Sequence, residues 1–179
     1  MINVNEEKKM KCELFNDHFE NAKRYNIPRA QLIIADIPYN LGNNAYASDP
    51  HWYKDGDNRN GESKLAGKSF FDTDNDFKIN NFFDFCSRLL KKEPKEKGKA
   101  PAMIVFHAWQ PQKPIPVLKR LIEIFTDEGD VVIDPVAGSG STLRAAIEMN
   151  RSAYGFEIKK DFYRKAKEQM LSSYQPSLF

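Results

Sequence analysis

The 179-residue chain carries almost no excess charge of one sign: 27 Lys and Arg stand against 25 Asp and Glu, a formal net charge of +2. That balance excludes a histone-like binder that holds polyanions by bulk charge, so any nucleic-acid site has to be a local patch. Cysteine is scarce as well. Cys12 and Cys86 form no CxxC pair and could make at most one bridge, which fits a reducing cytosol better than a disulfide framework. No apolar run approaches the ~20 residues needed to span a bilayer. The opening MINVNEEKKMK lacks the apolar centre of a signal peptide, so the expected location is the cytoplasm. No internal repeat is present. What is left is ordinary globular usage, 41% hydrophobic and 29% charged, with room for one α/β domain over residues 1–179 and a real core.

Short apolar runs mark the strands. MKCELF (Met10–Phe15) and QLIIAD (Gln31–Asp36) read as buried strands that end in polar residues, with a helix or loop over Phe19–Tyr25 between them. The segment 41–73 is rich in Asn, Asp, Gly, Ser and Lys without periodicity. It predicts a long functional or disordered loop. Asp76–Leu90 places most of its Phe, Cys and Leu residues on one stripe and predicts a core-facing helix. The charged linker 91–101 follows, and six basic residues between Arg88 and Lys99 make that run a candidate DNA contact. Met103–Phe106 reads as a third strand and Ile115–Thr126 as an amphipathic helix. The last third is regular: a strand at Val131–Asp134, a glycine turn, a helix at Thr142–Asn150, a strand at Ser152–Ile158 and a helix at Asp161–Leu171. Such a β-turn-α-β-α unit predicts a parallel sheet covered by helices.

Two places carry chemistry. In DPVAGSGS (Asp134–Ser141), Gly138 and Gly140 allow backbone to approach a ligand, and the helix behind them offers N–H groups to it. Glu157 closes the next strand, 23 residues after Asp134, where an acid can bind ribose hydroxyls. A nicotinamide dinucleotide is one candidate ligand. Against it, Leu143 stands where the dinucleotide fingerprint wants glycine, and the Asp134 carboxylate repels pyrophosphate but suits an ammonium, as in S-adenosylmethionine. The second place is Asp36-Ile37-Pro38-Tyr39. Proline constrains both itself and the residue before it, so the carbonyl of Ile37 can sit beside the Asp36 carboxylate. Two adjacent acceptors suit an exocyclic amino group, and Tyr39 offers a face on which a base can stack.

Together these segments resemble the β class of amino-methylating DNA methyltransferases, in which a D-P-P-Y tetrad precedes the glycine motif. Asp36–Tyr39 resembles the tetrad, Asp134–Thr142 the D-P-F-x-G-S-G-T-T motif, and Pro111-Gln112-Lys113-Pro114 the T-Q-K-P turn. Leu14–Asp17 resembles the strand whose terminal Asp lies near the cofactor adenine, and Arg151, Gly155, Glu157 and Ile158 match R-x-x-x-G-x-E-I. The resemblance implies a Rossmann-like α/β methyltransferase fold, with a mostly parallel sheet, helices on both faces and one shortened edge. It divides the chain into a catalytic part beginning at 10–40 and a cofactor-binding half at 111–171. It implies methyl transfer from S-adenosylmethionine to the N6 amino group of adenine in flipped-out DNA, without a metal. Catalytic roles fall on Asp36, Ile37, Pro38 and Tyr39. Cofactor contacts fall on Asp17, Lys113, Pro114, Asp134, Pro135, Ala137, Gly138, Ser139, Gly140, Ser141, Thr142, Glu157 and Ile158. N4-cytosine or RNA amino groups, and a non-catalytic cofactor-binding remnant, are the alternatives.

The sequence departs from the family pattern at Ile37, which replaces proline, and at Val136 and Ser141, which replace Phe and Thr. Only five residues, His107–Pro111, join the third strand to Gln112, where the family layout has a further strand, a helix and a target-recognition region. That shortening predicts an exposed sheet edge at Met103–Phe106, open to pairing with a second copy or a partner subunit.

Overall fold

The structure is a computed structural model and describes residues 10–37, 77–92, 99–106 and 113–172. Five strands form one sheet: β1 (Cys12–Phe15), β2 (Leu32–Asp36), β3 (Ala102–Phe106), β4 (Val131–Asp134) and β5 (Ser152–Phe156). Their spatial order is β1-β5-β4-β2-β3, and every pairing is parallel. The central strands β2 and β4 are the most apolar and are buried along their length apart from Asp36, as expected of strands covered on both faces.

Alternation along the strands sorts the core into two layers. Leu14, Leu32, Ile34, Val132 and Ala153 pack with Leu118 and Ile122 of α2 (Ile115–Phe125) and with Leu143, Ala146 and Ile147 of α3 (Ser141–Glu148). On the other face, Ile33, Ala35, Ile133, Tyr154 and Phe156 pack with Phe82 and Cys86 of α1 (Ile79–Leu89). The same layer takes in Phe19 and Ala22 from a 3-10 helix over Phe19–Tyr25. The result is the expected Rossmann-like α/β fold, with helices on both sides of a parallel sheet.

Two details differ from the sequence reading, and a third agrees with it. On α1 the buried stripe narrows to Phe82 and Cys86, while Phe83 is 41% exposed. The last helix, α4 (Lys160–Lys165), continues as a π-helical segment, Ala166–Leu171. Ala166 and Leu171 there pack over Gly140, where a Cβ would come within 3.2 Å of the Ala166 Cβ. Finally, β3 pairs only with β2 among the described residues, and its five side chains are all half-buried, so it forms the sheet edge. Among the described residues no helix is long and apolar enough to cross a membrane.

The topology sets the position of the site. From β2 the chain moves outward to β3, and from β4 it moves the opposite way to β5, so the direction of winding reverses between β2 and β4. In open parallel sheets the crevice at such a reversal, beyond the carboxyl ends of the strands, is where ligands bind. Asp36 ends β2 and Asp134 ends β4.

Candidate active site

Asp134 is buried at 4% exposure. Its Oδ1 accepts the Val136 N–H at 3.1 Å, and the Thr142 hydroxyl also bonds to the carboxylate. Burial pushes its pKa up to about 7. The two hydrogen bonds pull the other way, and the nearby charges of Asp36 and Glu157 add to the rise. The chain then turns through Pro135–Ser139. Gly138 and Gly140 adopt left-handed backbone at φ 52° and 80°, a region that favours glycine. The Ala137 N–H bonds to the Phe156 carbonyl and the Gly140 N–H to the Ala137 carbonyl, both at 2.8 Å. Gly140 caps α3, whose first residues, Ser141 and Thr142, are buried.

Glu157 locks this turn to β5. Its Oε2 accepts the Gly138 N–H at 2.9 Å and its Oε1 accepts the Lys159 N–H at 2.8 Å, while burial raises its pKa. Ser139 is half-buried beside it, and Ile158 is 42% exposed. Gly155 has a packing role: a Cβ there would lie 2.8 Å from Leu143 Cδ1 and 3.1 Å from both Ala137 Cβ and Leu14 Cδ1. Its hydrogen lets α3 settle against the sheet and so places the turn.

At the end of β2, the Asp36 carboxylate is 37% exposed and Lys113 Nζ lies 3.1 Å from its Oδ2. The Lys113 side chain is only 9% exposed, with Nζ 4.9 Å from the centre of the Phe106 ring. Pro114, exposed, caps the start of α2. Lys113 therefore meets the Asp36 corner, although its motif suggests a cofactor contact. Ile37 is buried at 1%, packs in the α1-side layer and donates its N–H to the Phe106 carbonyl at 3.3 Å. The residue that replaces proline thus anchors the turn through the core. Pro38 and Tyr39 lie outside the described residues, as do the segment 41–73 and Pro111-Gln112.

Asp17 is occupied by its own neighbourhood. Oδ1 accepts the His18 N–H and the Asn21 amide, and Oδ2 accepts the Tyr25 hydroxyl, each at 2.7 Å. These bonds, Tyr25 first, hold its pKa below the usual carboxylate value. A residue that the sequence reading did not single out, Asn16, donates its amide to the Glu157 carbonyl at 2.8 Å and to that of Ile158 at 3.2 Å. It ties the end of β1 to the end of β5. The only trace of it in the sequence is a polar residue closing an apolar run.

The basic run from Arg88 to Lys99 is not at this site in its described members. Lys91 pairs with Asp130 at 2.7 Å, and Lys99 reaches the Thr126 carbonyl at 2.7 Å and Asp127 at 3.0 Å. Asp130 precedes β4, so these lysines sit at the amino ends of the strands, on the order of 13 Å of strand away from Asp134. Lys91 and Lys99, candidate DNA contacts in the sequence, hold the opposite rim of the sheet together. Burial pushes the two free thiols up, Cys12 to about 11 and Cys86 to about 12, which favours the protonated thiol over the nucleophilic thiolate at neutral pH.

The arrangement brings together a buried carboxylate that holds a proton near neutrality, a glycine turn braced by a second acid, and a more exposed carboxylate on the adjoining strand. A cationic ligand suits the first, and a planar N–H donor suits the last.

Residues 89–168 match the N6/N4 methyltransferase family model, described as DNA methylase. The type II methyltransferase M.HindIII of Haemophilus influenzae is 47% identical over 55 residues, 31% of this chain and 18% of that enzyme. The DNA adenine methyltransferase YhdJ of Escherichia coli is 42% identical over 53 residues, 30% of this chain and 18% of that enzyme. The matched segments thus span about a fifth of these relatives' lengths. The solved structure of a DNA modification methylase candidate from Thermus thermophilus is 16% identical with a TM-score of 0.48, covering 92% of this chain and 96% of that one.

Proposed function

We propose that this protein is an S-adenosylmethionine-dependent DNA methyltransferase that modifies the N6 amino group of adenine. The observation that carries the proposal is the placement of Asp36 and Asp134 at adjoining strand ends across the winding reversal, with the glycine turn between β4 and α3. The family model described as DNA methylase, a relative named a type II methyltransferase and one named a DNA adenine methyltransferase support the same reading.

The residues present fit the cofactor. Asp134, whose pKa burial raises to about 7, gains from a cationic head group beside it. At Gly138 a Cβ position meets nothing closer than the Val136 carbonyl at 4.0 Å, so the turn is open on that side. Glu157 has carboxylate lone pairs left for a ribose hydroxyl after its two backbone bonds. In this reading Pro135, Ala137, Ser139, Ser141 and Thr142, in and just after the glycine turn, contact the cofactor together with Pro114 and Ile158. When bound, S-adenosylmethionine supplies an activated methyl group on a sulfonium.

The remaining work falls to the chain's own residues. An adenine turned out of the duplex, at a cost of a few kcal/mol, stacks on Tyr39. Asp36 and the Ile37 carbonyl accept its two amino hydrogens and draw the nitrogen lone pair out of ring conjugation toward the methyl donor. Fixed acceptors and orientation supply most of the rate enhancement. The nitrogen would take the methyl group as the sulfonium–methyl bond breaks, leaving a neutral thioether, and the surplus N–H proton would pass to solvent. Such a substrate places the protein in the cytoplasm, with its DNA.

Labelled S-adenosylmethionine and duplex DNA test the proposal, with digestion to nucleosides and mass analysis. Label is expected in N6-methyladenine, and Asp36→Ala is expected to lose transfer by ~10²–10³-fold while still binding cofactor. N4-methylcytosine as product would reassign the base. Cofactor binding without transfer to any DNA would replace the enzyme reading with that of a binding remnant.

A further inference from the structure

Lys113 stands out because its ammonium is buried at the exposed end of the site. Its side chain is 9% exposed, and Nζ lies 3.1 Å from Asp36 Oδ2 and 4.9 Å from the centre of the Phe106 ring. Two features fix it there. Pro114, at φ −59°, begins α2, and α2 is held in the core by Leu118 and Ile122. Phe106 is the register partner of Asp36 across β2 and β3. The ammonium is therefore carried by one packed element and shelved on the strand beside its acceptor.

An aspartate needs such a constraint if its work is geometric. The torsion that rotates a carboxylate is broad and nearly two-fold, so the end of a strand fixes Cβ without fixing the oxygens. A charge-assisted bond to Oδ2 removes that freedom. The side chain remains 37% exposed, so the carboxylate can still be reached from outside.

We infer that Lys113 is a positioning residue for methyl transfer: through its ion pair with Asp36 it sets the orientation in which that carboxylate receives the amino group of the base. The assignment rests on the methyltransferase reading above. It also differs from the cofactor contact that the Q-K-P motif suggests, and the two make different predictions.

Lys113→Met removes the charge and keeps an apolar stem of similar length. It is expected to lower kcat by ~10–100-fold, the scale of a misplaced reacting group, with the dissociation constant for S-adenosylmethionine changed less than about twofold. Lys113→Arg is expected to recover much of the loss. Lys119→Met, the same substitution in α2 at a lysine paired with Glu148 (2.6 Å), is the control and is expected to transfer methyl groups at the wild-type rate. A thermal-melting cycle with Asp36→Ala reads the pair directly. Each single variant is expected to lower Tm, and the double variant to lower it by less than the sum, because the buried Lys113 charge is then not left without its acceptor. Unchanged kcat in Lys113→Met, or a kcat loss matched by lost cofactor affinity, would overturn the assignment. Additive Tm losses would overturn it too. A wild-type protein that transfers no methyl group to DNA would overturn the methyltransferase reading itself, and this assignment with it.

Discussion

At the scale of single residues, the site is built from carboxylates whose surroundings set them apart. Asp134 is buried and proton-holding, Glu157 is raised by burial but tied to two backbone N–H groups, and Asp17 is held low by the Tyr25 hydroxyl and its neighbours. Because Asp134 sits near 7 when folded against 3.8 as its ordinary value, the folded state holds the proton more tightly. Its contribution to stability is therefore fully present below about pH 4 and is lost as pH rises through about 7. Asp134→Asn keeps an oxygen for the Val136 N–H and removes the charge. Thermal melts are expected to show it more stable than wild type at pH 8, by on the order of a few kcal/mol, with the gain shrinking as pH falls and gone below about pH 4. The same variant is expected to bind S-adenosylmethionine weakly at every pH, whereas wild-type affinity, measured by calorimetry, rises from pH 6 to pH 8 as Asp134 ionises. Asp134, Glu157 and both turn glycines were legible as a set, because their spacing reports a strand, a turn and a strand. The partners of Asp17 and Lys113 were not, since what a carboxylate or an ammonium touches depends on elements far away in the chain.

At the scale of elements, burial periodicity located nearly every strand and helix but overstated the width of the buried faces. On α1, Phe82 has no exposed surface and meets Phe19 edge-on with centroids 5.4 Å apart, while Phe83 beside it is 41% exposed. Phe82→Ala is expected to cost about 3–5 kcal/mol in urea unfolding, and Phe83→Ala less than about 1 kcal/mol. Equal losses would contradict the packing. Arg151, legible only as a motif position, joins the ends of two helices: Nε bonds Thr126 Oγ1 at 2.9 Å, Nη2 bonds the Thr126 carbonyl at 2.8 Å and Nη1 bonds the Met149 carbonyl. A cation at helix carboxyl termini satisfies carbonyls that lack helical partners. No periodicity could reveal this, because the bonds run across the start of β5 rather than along any one element.

At the scale of the whole molecule, the sheet has two ends with different work. The carboxyl end holds Asp36, Lys113, Asp134 and Glu157; the amino end holds the Lys91–Asp130 pair and the Lys99 contacts. Lys91→Ala combined with Lys99→Ala is therefore expected to leave the salt dependence of DNA binding unchanged. Were both lysines on phosphates, the slope of log K against log salt would fall by about 2. The edge position of β3 also belongs to this scale. The short link after its apolar run predicted an edge strand there, and the order β1-β5-β4-β2-β3 puts it at the margin of the sheet among the described residues.

The sequence by itself determined the strands, most of the helices, the glycine turn and the acids that flank it, because those depend on neighbours a few residues apart: alternation, helical stripes, and glycine where backbone turns left-handed. Only the tertiary structure decided which strand lies beside which, and hence that Asp36 and Asp134 share a crevice. It also decided that Lys113 pairs with Asp36 and that Lys91 and Lys99 brace the far rim. Those are outcomes of parallel crossovers, which carry residues separated by tens of positions to the same end of the sheet or to opposite ends.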